Sequence, residues 1–184
     1  MGIIGKDFKY KVINNFLSKE EISLLNNYCI MKHQSNFDSF DQTTDTADTY
    51  FYGDATMESL MISKLSLMEE QTGKKLIPTY SFWRIYTNLA ELKKHKDRPS
   101  CEISVTVNIG NDGTKWPIYM DGAPVEINPG DAVIYLGCEV KHWRDTFQGD
   151  WHAQCFLHYV DADGPNKHHD KDGRTLYGTP AVKR

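Results

Sequence analysis

Apolar residues in the first third of the chain recur at helical steps. Ile22, Leu24, Leu25 and Tyr28 follow Ser18-Lys19-Glu20-Glu21, where Ser18 can cap a free N–H and Glu21 can reach back, so a helix is predicted over about 19–31. Met57, Leu60, Met61, Leu65 and Met68 form a second stripe that predicts a helix over about 55–71, with Gly73 as its stop. A stripe of this kind belongs to a helix packed on a sheet. After Pro78 the period becomes alternating. Tyr80–Thr87, Cys101–Ile109, Pro117–Met120, Val125–Ile127, Ala132–Leu136 and Ala153–Val160 are rich in β-branched and aromatic residues. Asn-Asp-Gly, Asp-Gly-Ala-Pro and Asn-Pro-Gly-Asp turns separate several of them.

The segment from 101 to 109 is the most informative. Cys101, Ile103, Val105, Val107 and Ile109 share one face, and Glu102, Ser104, Thr106 and Asn108 share the other. An apolar face suits a core, while a polar inner face is what a ligand-holding barrel needs. Two helices followed by short antiparallel strands, without β–α alternation, exclude Rossmann and TIM architectures and leave a sandwich or jelly roll with a helical buttress. The expected layout is one domain spanning 1–184, with the buttress at about 15–75, the jelly roll at about 78–160 and a polar extension at about 161–184.

Composition narrows the class. At 184 residues, with 40% hydrophobic and 25% charged residues, the chain can bury a core large enough to fold without a disulfide or a structural metal. Cys29, Cys101, Cys138 and Cys155 show no C-x-x-C spacing and are expected to be reduced core residues. A net charge of −4 offers no global attraction to nucleic acid or to an anionic membrane. The first residues lack the layout of a secretion signal, and a cytoplasmic location is the expectation. One local exception is Lys93-Lys94-His95-Lys96-Asp97-Arg98, four cations in six positions, which suits a solvated loop or an anion-recruiting patch.

His95 and Asp97 within that run carry the first chemical signal. In extended chain, residues two apart point the same way, so an H-x-D pair aims an imidazole and a carboxylate at one point. A second histidine would complete a 2-His-1-carboxylate facial triad, the arrangement that holds Fe(II) and leaves open positions. His33 ends the first helix and suits its dipole. His168 and His169 fall in a polar stretch expected at the surface. His142, His152 and His158 remain as candidates for the third ligand.

Taken together, several segments resemble the 2-oxoglutarate- and Fe(II)-dependent dioxygenases, nearest to their prolyl 4-hydroxylase-like branch. They are Asn15-Phe16-Leu17-Ser18-Lys19-Glu20-Glu21, Thr72-Gly73-Lys74-Lys75-Leu76, the H-x-D pair, Pro129-Gly130-Asp131-Ala132-Val133-Ile134-Tyr135 and His142-Trp143-Arg144. The resemblance implies a double-stranded β-helix, a cupin-like jelly roll that is mainly β with N-terminal helices. It implies Fe(II) on His95, Asp97 and His142, because the P-G-D turn of the family enters the strand before its distal histidine. It also implies a basic residue about ten positions further on, paired with the far carboxylate of 2-oxoglutarate. Counting ten from His142 reaches His152, whereas counting ten from His152 reaches Ala162, which favours His142 as the ligand. The family has Lys or Arg where this chain has His152, so the carboxylate partner is either a protonated His152 or Arg144. A family tyrosine that helps bind the co-substrate corresponds to Tyr86, with Arg84 on the same strand face; a second family tyrosine is replaced by Leu92. Arg98 is a candidate partner for Asp97, and Trp143 and Trp151 are candidates for the pocket wall.

The implied reaction is O2-dependent hydroxylation of an unactivated C–H, with decarboxylation of 2-oxoglutarate to succinate and CO2. A carboxylate at 97 leaves no free coordination site for halide, which favours hydroxylation over halogenation. No catalytic residue beyond the metal ligands is expected. A peptidyl proline is the substrate suggested by analogy, and the loops 33–54 and 110–124 are expected to select it. Partners are then a small-molecule co-substrate and a peptide or protein substrate, without nucleic acid or membrane. Two other readings predict different behaviour: a jelly-roll binding module would need neither metal nor co-substrate, and a cupin-like metal enzyme would need metal without 2-oxoglutarate.

Overall fold

The structure is a computed structural model that describes residues 8–35 and 49–179. Two antiparallel sheets face each other as a jelly roll. The larger sheet has the order β1 (Tyr10–Ile13), β8 (Ala132–Leu136), β5 (Ile103–Asn111), β10 (Trp151–Asp161), β3 (Leu76–Thr87), β2 (Thr49–Tyr52). The smaller has the order β4 (Leu92–His95), β9 (His142–Arg144), β6 (Ile118–Met120), β7 (Ala123–Val125). Helices α1 (Lys19–Ser35), α2 (Ala55–Ser63) and α3 (Leu65–Thr72) cover the outer face of the larger sheet.

Strand parity divides the larger sheet into two chemistries. Trp83 and Ile85 of β3, Ile103 to Ile109 at alternate positions of β5, and Ala153, Cys155, Leu157 and Tyr159 of β10 pack with Leu25, Met57, Met61 and Met68 of the helices in one buried cluster. The intervening residues Ser104, Thr106 and Asn108 are also buried, but on the barrel side, as the alternation in the sequence predicts. The Ser18–Glu21 capping box forms in both directions, with Ser18 N–H to Glu21 Oε2 at 2.8 Å and Glu21 N–H to Ser18 Oγ at 3.2 Å. Gly73 ends α3 at φ 70°, a left-handed position that glycine adopts without strain.

Three local expectations are corrected. The single helix over 55–71 is two helices: Lys64, at ψ −1°, closes α2 and opens α3 while still bonding Leu60 and Met68 through its backbone, and its amine lies 2.7 Å from Glu21. Pro78 lies inside β3 rather than before it. Its missing N–H is accommodated because it pairs at a register shift of β10, and β2 reaches only as far as Phe82 on the other side. Strand β7 begins two residues early, as the far arm of a tight Asp121-Gly122 hairpin with both residues at positive φ. Strands β1, β2, β4 and β9 have no counterpart in the sequence reading.

Residues 161–179, expected as polar surface, fold back onto the barrel. Arg174 forms an ion pair with Glu58, side chains 7% and 1% exposed, and Glu58 also accepts the Gly178 N–H. Asp172 receives both guanidinium nitrogens of Arg98, at 2.8 and 2.6 Å, and the hydroxyl of Tyr52. Tyr177 donates to the Pro78 carbonyl. Arg174→Met strands the Glu58 carboxylate in the interior, and is expected to cost about 3–5 kcal/mol in urea unfolding, whereas Glu58→Leu combined with Arg174→Met recovers most of the loss.

Candidate metal centre and its pocket

The short strands β4 and β9 pair so that His95 and His142 are direct cross-strand neighbours, with ring centroids 4.3 Å apart. Asp97 follows β4, and its N–H is held by the Gly137 carbonyl at 2.8 Å. Only glycine fits at 137: a Cβ there would lie 2.6 Å from Asp97 Oδ2. These constraints bring Asp97 Oδ1 to 3.5 Å from His95 Nε2 and 3.4 Å from His142 Nε2. Three ligands at adjacent octahedral positions around a small divalent ion stand about 3 Å apart, so the set matches a facial triad with little adjustment.

Both imidazoles are oriented for the same purpose. His95 Nδ1 lies 2.6 Å from the Lys93 carbonyl and His142 Nδ1 lies 3.0 Å from the Val140 carbonyl. A carbonyl can only accept, so each Nδ1 carries a proton; each Nε2 then donates to Asp97 while the ring is protonated, and offers its lone pair to a metal once that proton is released. Hydrogen bonding to Asp97 raises the pKa of His95 against the opposing effect of burial. Burial alone would raise the Asp97 carboxyl, but the hydrogen bonds from His142 and His95 outweigh it and hold the group well below the usual carboxylate range. With both Nε2 atoms deprotonated, the three residues make a negative point lined by two lone pairs, a donor set suited to a divalent cation.

A pocket opens above this point. Tyr80, Phe82, Arg84 and Tyr86 of β3, Phe156 and His158 of β10, Tyr135 of β8 and Leu92 line it together with the three candidate ligands. The Arg84 guanidinium lies 4.2 Å over the Tyr86 ring. Tyr135 sets its ring edge-on to His142 at 4.8 Å. His158, a candidate for the third ligand, lies beside Asp97 on the side away from His95 and His142: Nδ1 is 2.8 Å from Ser104 Oγ and the ring is 4.5 Å from that of Tyr80. Burial lowers its pKa to about 4, so it is neutral. Its inward parity with His152 was visible in the sequence, but the approach of 97 to β10 was not.

The other end of the barrel holds a buried charge. Arg144 is 1% exposed and donates to the Trp116 carbonyl and, at 3.3 Å, to Gln154 Oε1, with the Trp116 ring 4.7 Å from its Cζ. Its Nε has no hydrogen-bond partner, and among the described residues no carboxylate pairs with it. Burial lowers its pKa to about 10, which still leaves it charged at neutral pH. His152 Nε2 lies 2.8 Å from the same Gln154 oxygen. Burial, together with the nearby Arg144 charge, pushes His152 down to about 3, so it is a neutral imidazole. Tyr86 is fully buried and meets Trp116 edge-on at 4.8 Å, which places it between the triad and Arg144.

Three candidates point elsewhere. Arg98 pairs with Asp172 and covers the Tyr80 ring at 4.6 Å instead of bonding Asp97. Trp143 stacks on Tyr119 at 5.0 Å and 7°, with Lys94 above it, on the face of β9 opposite to His142 and Arg144. Trp151 packs with the helix-side core. Of the loop 33–54, residues 36–48 lie outside the described residues. No helix is long and apolar enough to cross a membrane among the described residues.

No family model and no curated protein matches the chain by sequence. Solved structures do match its fold. The non-heme alpha ketoglutarate dependent epimerase SnoN from nogalamycin biosynthesis superposes with a TM-score of 0.72 at 13% identity, covering 95% of this chain and 90% of that one. A Pseudomonas putida prolyl-4-hydroxylase gives 0.66 at 13% identity, covering 84% and 94%. An oxidoreductase of the 2OG-Fe(II) oxygenase family from Burkholderia pseudomallei gives 0.63 at 13% identity, covering 88% and 89%. The fold is therefore the jelly roll of the 2OG-Fe(II) oxygenases, prolyl 4-hydroxylases among them.

His142→Ala is expected to weaken Mn(II) binding by at least about 100-fold in calorimetric titration, and Asp97→Ala likewise, while His152→Ala leaves metal affinity within about threefold. Equal loss in His152→Ala would reassign the third ligand.

Proposed function

We propose that the protein is an Fe(II)- and 2-oxoglutarate-dependent oxygenase. The observation that carries this reading is the convergence of His95 Nε2, His142 Nε2 and Asp97 Oδ1 within 3.5 Å contacts at the floor of an open pocket. Bound there, Fe(II) and 2-oxoglutarate supply O2-dependent redox chemistry that yields succinate and CO2 and oxidises a substrate C–H bond. His95, Asp97 and His142 would hold the metal, and co-substrate and oxygen would take the positions that these three residues do not fill.

Arg144, rather than His152, takes the far carboxylate of 2-oxoglutarate. A cation buried without an anionic partner is costly, and a dicarboxylate that reaches it removes that cost. His152 is neutral and cannot serve as the countercharge; through Gln154 it helps to hold Arg144 in place. Tyr86 lies where its hydroxyl can meet the co-substrate along the way. Trp116 and Phe147, whose rings are 4.7 Å apart, shield this end from water and strengthen the ion pair.

The outer part of the pocket takes the substrate. Tyr80, Phe82 and Phe156 offer aromatic surface suited to a compact apolar ring, and Arg84 adds a cation for an anionic group. A prolyl residue of a peptide or protein fits this wall and is the substrate class we favour, in keeping with the prolyl-4-hydroxylase among the structures of this fold. A second outcome, stereochemical inversion at carbon, is favoured by the fuller coverage of this chain by the epimerase, 95% against 84%.

Under anaerobic conditions, Fe(II) followed by 2-oxoglutarate is expected to give the weak visible charge-transfer band of an Fe(II)–keto-acid chelate. Arg144→Gln should raise the 2-oxoglutarate Kd about 100-fold or more with metal binding retained, and His152→Ala should raise it by less than about tenfold. Metal binding without the band in the wild-type protein would replace this reading by a cupin-like metal enzyme, and no metal binding would leave a jelly-roll binding module.

A further inference from the structure

Asp97 has two carboxylate oxygens, and they face different surroundings. Oδ1 faces His95 and His142. Oδ2 lies toward Gly137 and, at 3.5 Å, Ser104 Oγ, which is itself hydrogen-bonded to His158. Beyond it, a ligand atom of each of Asp97, Cys101 and His158 lies within 4.8 Å of the others. We propose that these three residues form a second, thiolate-bearing metal site that shares Asp97 with the first and selects a soft divalent ion such as Zn(II) or Co(II).

The ligand chemistry supports that choice. Two imidazoles and a carboxylate accept iron, manganese or zinc alike, whereas the cysteine sulfur biases the second set toward softer ions. Binding requires the Cys101 S–H to lose its proton to solvent as the sulfur–metal bond forms. One thiolate and one carboxylate then balance a divalent charge, so the complex is neutral, which suits a barrel interior where Cys101 is 2% and His158 5% exposed. Each ligand also has an outer partner: Tyr80 OH lies 3.0 Å from Cys101 Sγ, and Ser104 contacts both His158 and Asp97. Entry is provided, since Asp97 and His158 line the open pocket.

The site has a consequence for the first one. A soft ion on Oδ2 competes for the carboxylate that both clusters need, so its occupancy weakens metal binding at the His95–Asp97–His142 set. This inference rests on the side chains around Asp97 and does not depend on 2-oxoglutarate.

Sulfur makes the test specific. Co(II) added anaerobically to chelator-treated, reduced full-length protein is expected to give the near-ultraviolet absorption of thiolate-to-cobalt charge transfer, which the His95–Asp97–His142 set cannot produce. The absorption should disappear in Cys101→Ser, persist in His142→Ala, require at least about tenfold more Co(II) in His158→Ala, and be displaced by Zn(II). Circular dichroism and thermal unfolding establish that each variant is folded. Co(II) binding without this absorption in wild type, or an absorption that survives in folded Cys101→Ser, would overturn the proposal.

Discussion

Strand parity is the constraint on which the structure turns. In β3, β5 and β10, every second residue packs under the helices and the residues between them face the barrel. A slip of one residue would exchange the two sets and expose side chains such as Leu157, Cys155, Val105 and Val107, each worth about 1.5–3 kcal/mol when buried if it is a large aliphatic. Helix packing on the outside therefore fixes the positions of Tyr80, Arg84, Tyr86, Gln154 and His158 on the inside. None of the described residues of the buttress lines the pocket, yet its packing sets the register of the pocket walls.

The barrel interior departs from what stability alone would select. Asp97 is negative beside two histidines, and Arg144 is positive beside a tryptophan ring and neutral oxygens. The two charges are not paired with each other. Well-packed apolar residues would be at least as stable in these places, and local conflict of this kind marks a site that awaits a ligand. By contrast, the Glu58–Arg174 pair outside the barrel is complete in itself, with further backbone donors to Glu58, and serves to hold the returning chain.

Long periodic segments were legible in the sequence, and short or polar ones were not. The capping box at Ser18, the stop at Gly73, the alternation of β5 from Ile103 on and the turn before β8 appear as read, whereas Cys101, read onto the apolar face, ends a short 3-10 turn beside Asp97. Strands β4 and β9 have four and three residues, too few for a period to show, and Leu92-Lys93-Lys94-His95 looks like solvated loop until it is paired. Their chemistry was nonetheless visible, because H-x-D and H-W-R place ligand-type residues two apart. Segment 161–179 was hidden for a different reason. Its burial relies on ion pairs and hydrogen bonds to Glu58, Arg98 and Tyr52, which leave no hydrophobic trace. His158 needed the tertiary approach of Asp97 to β10, which no local pattern encodes.

The three residues of β9 show how little chain a site of this kind requires. His142 and Arg144 share a face, about 6.7 Å apart at the usual strand rise, so one strand presents both a candidate metal ligand and a buried cation to the barrel. Trp143 between them necessarily points outward, where Tyr119 and Lys94 clamp it from the neighbouring strands. The outward stack thus fixes the rotation of the strand about its axis, and with it the separation and direction of the two inward groups. Arg144, on the candidate ligand's own strand, is the charged group here, and position 152 is not. A histidine there can stay neutral, bond Gln154, and hold the guanidinium in place. Arg144 and His152 are thus coupled through one amide, because the guanidinium and the neutral imidazole both reach Gln154 Oε1.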